Sequence, residues 1–244
     1  MNEKYELTEE FKEIETLREG WLQKIKVYRI RALRAFADVK IGDLGGFVET
    51  KQNLSNMDNA WVCGNAKVYG NAEVYGDARV CDNAKVCGNA RVCDNAWVYG
   101  DAKVYGNAWV RDNAWVCGDA RVCGDATKVC NNARVYGNAW VCDNAKVYGN
   151  AEVCGNARVY DNANIFWCSS IGSRHATTTM FRNKDNGITV TCGCFMGTLE
   201  EFAARVEKEH GENIFGKEYK LLIELAKIHF GLQDETKGEE ENGI

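Results

Sequence analysis

From Ala60 onward the chain repeats one six-residue cycle, reading Ala-x-Val-(Tyr/Cys)-(Gly/Asp)-(Asn/Asp). Valines recur every sixth position from Val62 to Val122, resume after a one-residue insertion near Thr127, and run from Val129 to Val159. Ile165 is expected to close this series of eighteen hexads. Ala and Val two positions apart lie on one side of an extended chain, so that side is the inside. The residues flanking each valine then point outward. Gly, Asn and Asp tolerate left-handed backbone and supply a corner. Each hexad is thus a short strand plus a bend, and three hexads close one triangular coil. The pattern predicts about six coils stacked at roughly 4.8 Å. A helical solenoid needs a longer unit with a 3.6-residue rhythm, which is not present.

Outward residues one coil apart form columns. Before the valines, one column reads Trp61, Arg79, Trp97, Trp115, Arg134, Glu152. A second reads Lys67, Lys85, Lys103, Arg121, Trp140, Arg158, and a third Glu73, Arg91, Trp109, Lys128, Lys146, Asn164. Glu73 beside Arg91 and Arg134 beside Glu152 are expected cross-coil ion pairs. The stacked Trp97 and Trp115, flanked by Arg79 and Arg134, form a candidate contact surface for a partner or a second copy of the chain. After the valines, Cys and Tyr alternate, small beside large.

The Ala-x-Val-x-Gly-Asn cycle resembles the left-handed parallel β-helix of hexapeptide-repeat proteins, with an aliphatic residue followed four positions later by a small one, as from Val62 to Ala66. The lead-in Gly42-Asp43-Leu44-Gly45-Gly46-Phe47-Val48-Glu49 is similar to uncharacterised phage and prophage proteins carrying polymer-forming labels. The resemblance implies left-handedness, and it implies a homo-oligomer, a dimer or trimer. Hexapeptide proteins include acyltransferases that use a coenzyme A donor and a histidine at a coil corner. No histidine lies in these repeats, and no long loop interrupts them. Acyl transfer is therefore the alternative, with a non-catalytic scaffold or binding module as the first reading.

The ends follow other patterns. Thr8 to about Gln23 reads as a helix with Phe11, Ile14, Leu17, Trp21 and Leu22 on one face. Residues 25–59 are expected to cap the first coil, making 1–59 an N-terminal helix and cap ahead of a β-helix at 60–168. In 169–232 the sequence predicts a small α+β unit. Thr177-Thr178-Thr179-Met180-Phe181 and Ile188-Thr189-Val190-Thr191 flank a turn at Lys184-Asp185-Asn186-Gly187. Thr198-Leu199-Glu200-Glu201 opens one helix, and a second runs from about Gly216 to Phe230. An acidic tail, 233–244, is expected to be disordered.

Composition narrows the chemistry. The net charge is −5, and the corner aspartates offset the basic columns, so nucleic acid is not an expected partner. No apolar run approaches membrane-helix length. The polar start of the chain favours the cytoplasm, where the 12 cysteines would stay reduced. Zinc-type spacing is lacking, so neither metal nor cofactor is expected. Cys63 and Cys81 are spaced to permit a bridge between coils, and Cys192-Gly193-Cys194 is the one tight pair. Gly172-Ser173-Arg174-His175 combines a hydroxyl with two cations, which suits a small anionic ligand. Ser173, Arg174 and His175 are therefore site candidates beside the Trp–Arg column.

Overall fold

The computed structural model describes residues 3–18, 20–161, 164–183 and 185–232. The chain divides into two units, Met1–Asn162 and Ala163–Ile244.

In the first unit the six-residue cycle becomes a β-solenoid. Among the described residues, seventeen two-residue rungs run from β4 (Trp61–Val62) to β20 (Arg158–Val159), stacked in three parallel sheets. The rung before each valine falls in the column the sequence assigns to it: Arg79, Trp97 and Trp115 are in register, as are Lys85, Lys103 and Arg121. Each coil donates to the next, as when Trp97 N–H meets the Ala114 carbonyl at 2.9 Å. The rung valines are at most 1% exposed and the repeat alanines fully buried. Small Ala beside Val fills the narrow triangular interior, and each buried valine contributes roughly 1.5–3 kcal/mol.

The corners show why Asp can replace Gly there. Asp82, Asp94 and Asp112 hold positive φ values of 58° to 60°. Each carboxylate accepts the backbone N–H one coil further on, from Gly100, Asp112 and Asn131 respectively. That hydrogen bond offsets the conformational cost. The next position forms side-chain ladders, Asn71 to Asn89 to Asn107 to Asp125, at 2.8–3.0 Å. The insertion is absorbed at a corner, where buried Thr127 donates to the Cys123 and Asp143 carbonyls.

The first coil would leave open carbonyls, and the N-terminal segment answers them. β3 (Leu44–Val48) adds to one sheet, with Phe47 N–H donating to Ala66 and Glu49 N–H to Val68. Asn53 Nδ2 takes the Gly70 and Ala72 carbonyls. Fully buried Lys4 donates from Nζ to Ala60 and Asp58, with the Asp58 carboxylate 3.6 Å away. Gly45 and Gly46 permit this close fit, since a Cβ on either would come within 2.8 Å of the first coil.

The N-terminal helix is not formed. Instead β1 (Tyr5–Arg18) and β2 (Trp21–Ala32) make an antiparallel hairpin continuing the sheet through β3. The apolar spacing 11, 14, 17 is ambiguous, and the free edge of β3 decides it by offering a strand partner. Cross-strand pairs then align Ile14 with Ile25 and place Glu13 and Glu15 opposite Lys26 and Lys24. The solenoid also ends earlier than the expected 168. Ile165 belongs to the second unit, as the first residue of β21 (Ile165–Ile171).

The second unit is a four-stranded antiparallel sheet of β21, β22 (Ala176–Arg182), β23 (Ile188–Cys192) and β24 (Phe195–Thr198), packed against α1 (Leu199–His210) and α2 (Ile214–Phe230). The Thr198/Glu201 capping box opens α1, and Gly231 closes α2 in the left-handed region. The sequence missed β21 and β24. Lys184 and the acidic tail expected to be disordered lie outside the described residues.

Candidate functional site

Two places carry the residues singled out by sequence. In the solenoid, Trp97 and Trp115 stack with ring centroids 6.1 Å apart at 28°. The Arg134 guanidinium lies over Trp115 at 5.3 Å and pairs with Glu152 at 3.5 Å. Arg79 is ion-paired with Asp38 of the cap. The ring faces are thus turned along the solenoid axis onto their own neighbours, and the cations are already matched. Both tryptophans remain 39–44% exposed. Trp61, at the head of the column, is buried under Tyr5 and Phe36. The expected Glu73–Arg91 pair also forms, at 3.4 Å.

The repeat cysteines are likewise answered by their neighbours. Cys63–Cys81 and Cys123–Cys142 are disulfides, with Cα atoms 4.6 and 4.5 Å apart, against the expectation of reduced thiols. Cysteines stack directly on cysteines at these positions, and coil spacing brings them into bonding range. Cys87, Cys93, Cys117 and Cys154 instead meet the hydroxyls of Tyr69, Tyr75, Tyr99 and Tyr136 one coil before. Burial pushes the Cys87, Cys93, Cys130 and Cys154 thiols up, Cys93 to about 11.

The second unit holds a different arrangement. A cavity of about 150 Å³ opens between the β21–β22 turn, the β23–β24 turn and the helices, lined among others by Ser173, Arg174, Arg205, His210 and Tyr219. Gly172-Ser173-Arg174-His175 is a tight turn, closed by His175 N–H to the Gly172 carbonyl at 3.1 Å. The turn brings Ser173 and Arg174 to the cavity but leaves His175 exposed and outside its lining. Gly172 is required by contact, because a Cβ there would sit 2.0 Å from the Tyr219 hydroxyl. Burial and then the Cys192 thiol push the Tyr219 phenol up, while Arg174 pulls it back. Arg174 has no ion pair among the described residues, whereas Arg205 is held by Glu209 at 2.9 Å. His210 lies against the Tyr219 ring at 5.7 Å.

Arg205, His210 and Tyr219 were not found by sequence. A signal existed: Phe202, Arg205, Val206, Glu209 and His210 follow helical spacing, so one face of α1 mixes apolar and charged residues. That mixture marks a face lining a wet cavity rather than a closed core. Among the described residues no cluster of three or more His, Cys, Asp or Glu is placed to hold a metal, and no helix is long and apolar enough to cross a membrane.

Residues 84–100 and 128–143 match the family model for the YdcK beta solenoid repeat. No curated protein matches the chain. The match falls wholly within the stacked rungs, and with them it establishes a repeat β-solenoid protein.

Proposed function

We propose that this chain is a non-catalytic scaffold and binding module, of the phage type that residues 42–49 resemble, which takes a small anionic ligand in the cavity of its second unit. The observation carrying this reading is Arg174, a cation without an ion pair among the described residues, held beside Ser173, Arg205 and His210 around one cavity. Phosphate or carboxylate groups suit such a set of donors. Inorganic phosphate at 100 times its Kd should stabilise the protein by about 2.7 kcal/mol. Arg174→Ala should abolish the resulting rise in Tm, and Lys103→Ala should leave it intact. An undiminished rise in Arg174→Ala would sink the assignment. The acyltransferase alternative would instead show acetyl-coenzyme A stabilising the protein well beyond phosphate.

The scaffold is further proposed to pair with a second copy of itself. Supporting this, α2 exposes a line of Ile214, Leu221, Leu225 and Ile228 at heptad-like spacing, opposite its buried face. Native mass of the intact chain, with Leu221→Asp as the disrupting variant, reads that part directly. Cytoplasmic residence has its own test in the disulfides: free thiols trapped on lysis support it, and bonded ones count against it.

A further inference from the structure

Cys192-Gly193-Cys194 lines the same cavity, and its chemistry is not accounted for by anion binding. Cys192 ends β23 opposite Phe195, so Gly193 and Cys194 are the two turn residues. The reversal needs a glycine at its first position, which Gly193 supplies with φ 58°. It does not need either cysteine. Yet both residues line one cavity, alongside Arg174, Arg205 and His210. They also differ from each other. Cys194 is exposed, whereas Cys192 is half-buried, accepting from the Thr178 hydroxyl at 3.2 Å with the Tyr219 hydroxyl 3.7 Å away. The repeat cysteines, by contrast, are each matched within the solenoid. Cys168 lies two strands from Cys192, across Thr178, too far to bridge it.

We propose that Cys192 and Cys194 form a redox dithiol whose substrate class is a small disulfide bearing carboxylates. This deepens the anion-site reading, since the cations would draw the carboxylate end to the thiols. The Cys194 thiolate attacks one sulfur of the disulfide, forming a mixed disulfide and expelling the first thiolate, which takes up the proton Cys194 lost. Cys192 then gives up its proton and attacks the Cys194 sulfur. The second thiolate leaves and is protonated. Two electrons pass from the dithiol to the substrate, leaving a Cys192–Cys194 disulfide and two free thiols. The exposed thiol is placed for the intermolecular step and the half-buried one, within reach of the Thr178 hydroxyl, for resolution.

The test treats the full chain with glutathione disulfide, alkylates remaining thiols and digests with trypsin. Cleavage after Lys184 and Arg205 gives one peptide holding only these two cysteines. The expected product is that peptide with both alkyl groups missing and two hydrogens lost. Cys192→Ser should trap a glutathione adduct on Cys194, and Cys194→Ser should give neither product. Arg174→Ala should slow the reaction about tenfold with glutathione disulfide and leave it unchanged with neutral 2-hydroxyethyl disulfide. A peptide that stays fully alkylated overturns the proposal, as does an adduct on Cys192 rather than Cys194, or equal slowing with both disulfides. Phosphate stabilisation should hold in the wild-type chain. If it does while no disulfide forms, the redox inference alone has failed. If phosphate stabilises no form of the protein, the anion-site reading has failed independently.

Discussion

The solenoid and the second unit handle chemically active side chains in opposite ways. In the solenoid, translation places each outward residue beside its counterpart one coil away. Arg134 lies on Trp115, Arg91 pairs with Glu73, Tyr99 meets Cys117 and Cys63 bonds Cys81. A regular stack therefore consumes its own functional groups as structure. The second unit lacks that symmetry: a turn, a hairpin end and one face of α1 converge from distant positions and leave Arg174 and Cys194 facing a cavity. Chemistry that looks abundant in a repeat array is thus better sought where the array stops.

The strongest way to break this contrast is to attack the stack itself. Val104→Asp places an unpaired charge in the triangular core, at an expected cost of about 4 kcal/mol. For a chain of this size that lowers Tm by roughly 8–16 °C. Lys103→Asp, one residue away on the outside, should change stability by under about 0.5 kcal/mol. Similar losses from both variants, read by thermal melting, would contradict the inside–outside assignment.

The second comparison uses pH. Folded Cys87, Cys93, Cys130 and Cys154 keep their protons above the ordinary thiol value of 9.0, whereas unfolded thiols lose them there. The folded state then binds more protons, so stability falls as pH rises through about 9. Lys4 acts in the opposite sense. Burial pushes it down to about 8, so it sheds its proton first in the folded state and favours folding between there and its ordinary 10.5. Lys67, also pushed down by burial, acts with Lys4, and the thiols oppose both amines with a decline in Tm once the pH passes about 9. Cys93→Ser should flatten the decline; an unchanged slope would show that the thiols are not the cause.

The smallest expected effect concerns the tryptophan column. Trp97→Ala removes one stacked ring, costing about 0.5–1.5 kcal/mol beyond its lost burial. Native mass and phosphate stabilisation should not change. A fall in mass would instead make the column a partner surface.

Most of the solenoid was legible because a six-residue period dictates rung, corner and column together, down to the registers of Arg79, Trp97 and Trp115. The hairpin at 5–32 was not, because Phe11, Ile14 and Leu17 suit a helix until the edge of β3 is known. Gly20, inside the supposed helix, was the local warning. Ile165 continues the apolar rhythm in sequence while pairing with Phe181 in the sheet. In the cavity, Ser173 and Arg174 were readable as a polar turn. Arg205 and His210 share a helical face legible in the sequence, but they and Tyr219 join the turn only through packing of α1 and α2 on the sheet. His175, adjacent to them in sequence, is exposed and outside the cavity lining.

The central claim is that specific binding resides in the second unit and not on the basic columns of the solenoid. Locating bound phosphate in crystals of the intact protein tests it most directly. The account predicts an anion in contact with Arg174, beside Arg205 and His210. Phosphate seated along Lys67, Lys85 and Lys103, with the cavity empty, would contradict it.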